Sequence, residues 1–128
     1  MQSQQARASR AQNPIRSLSD WVRADDAALV AGLIAQNTFA QLEFIGRFGD
    51  MIEERIATTI GRFSDALCTA EVVDEIADAV DSIMTTDRAL LRSFDPQRGT
   101  LAAWVGRVAE QATLRHLNEL TSDPRDAV

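Results

Sequence analysis

A chain of 128 residues that is 45% hydrophobic is long enough for one domain with its own core, and no run in it is long and apolar enough to cross a membrane. The formal net charge is −6 and all 13 basic residues are Arg, a balance that argues against a general nucleic-acid binder, whose footprint is a basic face. Cys68 is the one cysteine and His116 the one histidine, so neither a disulfide framework nor a cysteine metal site is available within the chain, and no Ser/His/Asp or Cys/His arrangement can be assembled.

In chain order, residues 1–14 are rich in Gln, Ser, Ala and Arg and lack the apolar stretch of a signal peptide. The expectation is a disordered arm over residues 1–16 on a cytoplasmic protein. Residues 17–20 offer N-caps, and Trp21 and Val22 begin the apolar content of a domain expected over 17–120. A first helix is expected over residues 25–36, with Ala28, Leu29, Val30, Leu33 and Ile34 on its buried side. Asn37 or Thr38 breaks and recaps the chain. Phe39, Leu42, Phe44, Ile45 and Phe48 give a second helical stripe, which Gly46 and Gly49 weaken. A kink or boundary is expected at Gly49 and Asp50, with helix resuming through Met51, Ile52, Ile56 and Ile60 to about Arg62.

Residues 63–69 read as a connection with Ser64, Asp65 and Thr69 as turn or cap candidates. Next comes an acidic helix. Between positions 71 and 87 stand six acids and no Arg, which accounts for the whole net charge of −6. Its apolar positions Val72, Val73, Ile76, Val80, Ile83 and Met84 share one face. Asp74, Asp78 and Asp81 line an exposed strip that Glu71 and Glu75 extend. A localised acidic face of this kind is either solvated surface or an address for a basic partner. It has no calcium-loop spacing, there is no Gly-rich phosphate loop, and no cofactor or metal is expected.

Residues 85–87 are placed to cap a short helix over 88–93. A loop over 94–100 comes after it, built from turn chemistry: the pair Asp95 and Pro96, then Gly99, with Thr100 as N-cap of a last helix over 101–120. Phe94 and Trp104 are expected to pin the two ends of this loop to one core. The inward positions of the last helix are Leu101, Trp104, Val105, Val108, Ala112 and Leu117. Arg107, Gln111, Arg115 and Asn118 stand on one face, carrying the side-chain types that read purine edges and phosphates. The tail over 121–128 contains a breaker pair, Asp123 and Pro124. No period-two alternation is sustained anywhere. The fold class expected is all-α, a compact multi-helix domain with a short recognition loop between its last two helices.

The run FDPQRGTLAAWVGRVAEQATLRHL resembles region 2 of bacterial sigma-70-type factors, and within them the small extracytoplasmic-function group. Phe94, Asp95, Pro96, Arg98, Gly99, Trp104, Val105, Val108 and Ala109 fall on that group's pattern without a gap, and weaker similarity extends back to about Leu33. The resemblance implies that Glu71, Asp74, Glu75, Asp78, Asp81 and Ser82 face the basic coiled-coil clamp of the large subunit of core RNA polymerase. It implies that Arg92, Asp95, Gln97, Arg98, Arg107, Gln111, Arg115 and Asn118 contact the promoter −10 element, the loop taking a base unstacked from the opened strand. An anti-sigma regulator is a further partner of that kind, and membrane contact is not expected.

Two departures from the family pattern bear on this. Glu110 and Asn118 stand where basic residues are usual, so positions 101–120 hold two Arg against two Glu. The second helix-turn-helix domain usual in the group is absent after Leu120, which suggests either a domain cut at its boundary or a standalone one, the tail reading as the start of a linker. An alternative from another class is a protein-interaction module on the same fold that has lost DNA binding and acts as an adaptor or regulator.

Overall fold

Each of the described helices is opened by a side chain that accepts from its first free amides, and these caps set the element boundaries. In a computed structural model describing Trp21 and residues 24–121, the chain forms five α-helices among the described residues: α1 (Asp26–Ile34), α2 (Thr38–Phe63), α3 (Ala70–Thr86), α4 (Arg88–Arg92) and α5 (Leu101–Thr121). A 3-10 turn, Asp65–Leu67, lies between α2 and α3, and no strand occurs among the described residues. The class is all-α, as expected. The arm over residues 1–16, the caps over 17–20, Val22 and the tail from 122 onward lie outside the described residues.

Asp25 caps α1 by accepting from the Ala28 N–H at 2.8 Å. At the other end Gln36 adopts φ 58°, the left-handed region. The Gln36 and Asn37 amides return to the carbonyls of Leu33 and Gly32, both at 3.0 Å, which closes the helix two residues before the expected end at Gln36. Asn37 then turns its side chain forward, accepting from Phe39 N at 2.9 Å and Ala40 N at 3.1 Å to start α2. One residue thus ends one helix and begins the next.

Helix α2 corrects the expected division of this region. It runs unbroken for 26 residues through Gly46, Gly49 and Gly61, with no boundary at Gly49 and Asp50. Ala40, Phe44, Phe48, Ile52, Ile56 and Ile60 recur every four residues and are all buried, so packing on both sides of the glycines outweighs the roughly 1 kcal/mol each costs in a helix interior. The apolar stripe at the start of this helix also divides: Phe44 and Phe48 are inward, while Phe39, Leu42 and Ile45 are exposed.

α2 is the central element and touches α1, α3, α5 and the 3-10 turn. Its neighbours contribute Leu29 and Leu33 from α1, Ile76, Val80 and Met84 from α3, Leu91 from α4, and Leu101, Val105, Ala109 and Leu117 from α5. Ala28 is half-buried, and Ile34 is half-buried and packs against this core as expected. Trp21 is buried where α1 and α2 meet: a Cβ placed on Gly32 would come within 2.1 Å of its ring and 2.8 Å of Ala40 Cβ, so only glycine admits this approach. Arg47 holds the same segment from α2, donating to the Ala24 and Trp21 carbonyls, each at 3.2 Å, and pairing with Glu43 at 2.9 Å. Two buried hydroxyls among the described residues, Thr59 and Thr113, donate to the carbonyls of Arg55 and Ala109 four residues back, both at 2.7 Å.

Candidate functional site

The loop over residues 94–100 is a chain of local constraints. Phe94 N–H donates to the Leu91 carbonyl at 3.2 Å, carrying the end of α4 into the loop. The Asp95 side chain accepts from Gln97 N at 2.9 Å, and its carbonyl accepts from Arg98 N at 3.0 Å, so Asp95 sets the turn from both its side chain and its backbone. Gly99 sits at φ 156°, in the range that favours glycine, with nothing within 4 Å of a built Cβ; backbone conformation alone selects glycine there. Thr100 caps α5 as expected, accepting from Ala103 N at 3.1 Å. The Phe94 and Trp104 rings meet at 5.5 Å between centroids with 56° between their planes, and both pack on the core.

These constraints leave a cavity of about 120 Å³ lined by the aromatic rings of Phe94 and Trp104, by Ser93, Gly99 and Thr100, and by the charged side chains Asp95, Arg98 and Arg107. That is well below the roughly 300–1,000 Å³ of small-molecule sites, which suits one planar group rather than a whole cofactor. Trp104, expected as a core residue, both packs and lines the cavity. The Arg98 guanidinium is 86% exposed and only loosely held by Asp95 at 3.7 Å. Arg92, Arg107 and Arg115 make no ion pair among the described residues, so all three are free to meet an external anion.

The other members of the sequence-derived set are not gathered at this cavity. Arg92 lines a groove between α1 and the loop with Phe94 and Pro96, and Gln97 is exposed with its backbone committed to Asp95. Gln111 and Arg115 line a second groove, on α5 against Ile83, Asp87 and Leu90. Asn118 is exposed near the end of α5. Glu110, which by sequence counts against the cationic face, is turned toward α2, where it meets Arg55 at 3.5 Å and Arg62 at 3.9 Å. The Arg55 guanidinium lies across Gly106, whose added Cβ would come within 3.1 Å of it. The even count of charges on α5 therefore does not describe the side that carries Arg107.

On α3, Thr69 accepts from Val72 N at 3.3 Å and opens the helix. Glu71, Asp74, Glu75, Asp78 and Ser82 are exposed, and the buried stripe is Ile76, Ala77, Val80 and Met84. Asp81 departs from the expected strip. It is half-buried, and its Oδ1 lacks a hydrogen-bond partner among the described residues. Burial first, then the neighbouring Asp78 and Glu53 charges, hold its carboxyl above the ordinary Asp range. Position 81 lies close enough to Ala77 and Val80 in the helical turn to be drawn toward α2, a consequence of packing that charge spacing does not carry. Among the described residues, no three His, Cys, Asp or Glu side chains form a group able to hold a metal ion, and no helix is long and apolar enough to cross a membrane.

Two residues that make long-range links in the fold carry no signal in the sequence. Asp26, in the first turn of α1, accepts from the Leu101 amide at 2.9 Å across 75 residues of chain. Arg47, the clamp on the segment before α1, stands in the sequence as one charge among many. Neither belongs to a local motif, so no spacing marks them. Comparison with protein-family models, curated proteins and solved structures gave no match for this chain.

Proposed function

We propose that this chain carries a helical domain of the sigma-70 region-2 type, which binds core RNA polymerase through the exposed acids of α3 and holds an unstacked base of the promoter −10 element at the loop over residues 94–100. The observation that carries the reading is the loop cavity. It combines two aromatic side chains, a glycine-dependent turn and two arginines, Arg98 and Arg107, in one lining. Holding a base outside the stack needs a flat apolar surface for its ring and cations for the flanking phosphates, because unstacking costs a few kcal/mol that the pocket must offset. Gln97 within the loop and Arg92 at the end of α4 are exposed, where they extend phosphate contact, and Gln111, Arg115 and Asn118 lie further along α5 for the upstream end of the element.

The acidic helix supports the polymerase half. Glu71, Asp74, Glu75 and Asp78 are exposed on one stiff element with no cation among them, a pattern that steers a basic partner and fixes its orientation. Half-buried Asp81 and exposed Ser82 continue this face toward the C-terminal end of α3. On this reading the domain is cytoplasmic, works without cofactor or metal, catalyses no reaction, and is open to control by an anti-sigma partner.

The second reading, an adaptor that has lost DNA binding, is favoured by the overall charge of −6 and by Asn118 in place of a basic residue. Fluorescence anisotropy with labelled single-stranded −10-type DNA, with and without core polymerase, separates the two. Sequence-selective binding that weakens with salt is expected, and Arg98→Ala/Arg107→Ala should weaken it about tenfold while lowering the salt slope by roughly 0.7 per lost phosphate contact. No binding by the native chain, even with polymerase present, would leave the adaptor reading standing.

A further inference from the structure

We infer that Asp26 is a positioning residue for the recognition loop: its carboxylate holds the first amide of α5 and so fixes the cavity that Phe94 and Trp104 help to line. This inference rests on the reading of the loop as a base-capture element. Leu101 is fully buried, so its N–H has no access to water and needs a protein acceptor. That acceptor is Asp26 Oδ2 at 2.9 Å, from the first turn of α1. The adjacent acids divide the work, since Asp25 accepts from Ala28 N within α1 while Asp26 reaches across to α5.

Leu101 matters because its chain neighbours build the cavity. Thr100 precedes it in the cavity lining, Gly99 is the conformationally demanding residue before that, and Trp104, also in the lining, lies one turn later. The Trp104 amide donates to the Thr100 carbonyl at 3.2 Å, and Ala103 donates to the Thr100 hydroxyl. Moving the start of α5 therefore moves Thr100 and Trp104, two lining residues of the cavity, together. A negative charge here also complements the positive end of the α5 dipole.

Electrostatics alone gives the opposite forecast to positioning, which makes the inference testable. Deleting an acid near a DNA site strengthens binding of a polyanion if charge is its whole contribution. A positioning role requires that Asp26→Ala weaken selective capture and that Asp26→Asn, whose amide oxygen still accepts from Leu101 N, keep it.

The experiment compares native chain, Asp26→Ala and Asp26→Asn in anisotropy with single-stranded −10-type DNA, at a temperature where circular dichroism shows all three folded, alongside amide hydrogen exchange over residues 94–104. The expected result is affinity about tenfold weaker for the Ala variant, near-native affinity for Asn, and faster exchange at Leu101 in Ala only. Unchanged or tighter binding by Ala, or equal loss in both variants, would overturn the inference. Should the native chain bind no strand with or without core polymerase, the base-capture reading fails by itself. Exchange at Leu101 then decides whether Asp26 fixes the loop, and equal protection in all three proteins would refute that.

Discussion

Asp81 is the residue where charge pattern and packing disagree most. By spacing it belongs with Asp74 and Asp78, yet it is half-buried, one oxygen lacks a partner among the described residues, and Asp78 and Glu53 add repulsion. Its folded carboxyl binds a proton more tightly than in the unfolded chain. In the window from the ordinary Asp value near 3.8 up to the raised folded value, the folded state holds more protons, so stability falls as pH rises through that window. Asp81→Asn should remove this dependence. Urea midpoints measured from pH 4 to 8 are expected to fall less steeply with pH in the variant, with a gain at pH 7 below about 1 kcal/mol once solvent screening is allowed for. A variant less stable than native at pH 7 would mean the carboxylate is stabilising where it stands. Gln36 is another residue under local constraint: its left-handed φ of 58° costs a non-glycine side chain on the order of 1 kcal/mol, offset by the two backbone bonds that close α1. Nothing in the letters around Gln36 marks that conformation, since glycine is the usual occupant.

At the scale of elements, the helices are legible wherever a cap and an apolar period agree. Thr69, Asp87 and Thr100 each accept from a first-turn amide, as their residue types suggest, and the 94–100 loop forms where its Asp, Pro and Gly place it. The boundary expected inside α2 weighs glycine by its own propensity, while continuity is decided by Phe44, Phe48, Ile52, Ile56 and Ile60 packing on three other helices. The α2 glycines therefore still carry their intrinsic cost. Gly46 is exposed with nothing within 4 Å of an added Cβ, so Gly46→Ala should stabilise the domain by roughly 0.5–1 kcal/mol. Thermal unfolding checks it, and a loss of stability would mean that α2 bends at this point in solution. Gly32→Ala supplies the contrast, since there the methyl meets the Trp21 ring. The long-range links, Asp26 to Leu101 and Arg47 to Trp21, are invisible in the sequence for the complementary reason: each joins positions tens of residues apart with no shared period.

For the whole molecule, the distribution of charge matters more than its sum. The acids of α3 lie outside the loop cavity, whose lining comes from the end of α4, the loop and the first two turns of α5. Glu110, the acid closest in sequence to Arg107, is engaged by Arg55 and Arg62. An acidic protein can therefore present one face to a basic partner and another to phosphates, provided the two surfaces do not share residues. This makes a strict prediction of independence. Glu75→Arg/Asp78→Arg, both at exposed positions, should abolish capture of core polymerase in a pull-down while leaving the affinity of the isolated domain for single-stranded −10-type DNA within about threefold of native. Arg98→Ala/Arg107→Ala should do the reverse. Combining the pairs should give additive free-energy changes to within about 0.5 kcal/mol, as expected for sites without shared partners. Capture that survives the α3 charge reversal would remove the acidic helix from the polymerase surface and put another face, such as the exposed Phe39, Leu42 and Ile45 strip of α2, in its place. Loss of both activities in either double variant would mean that the surfaces are coupled through the fold, and the Asp26 link from α1 to α5 is the first connection at which to look for that coupling.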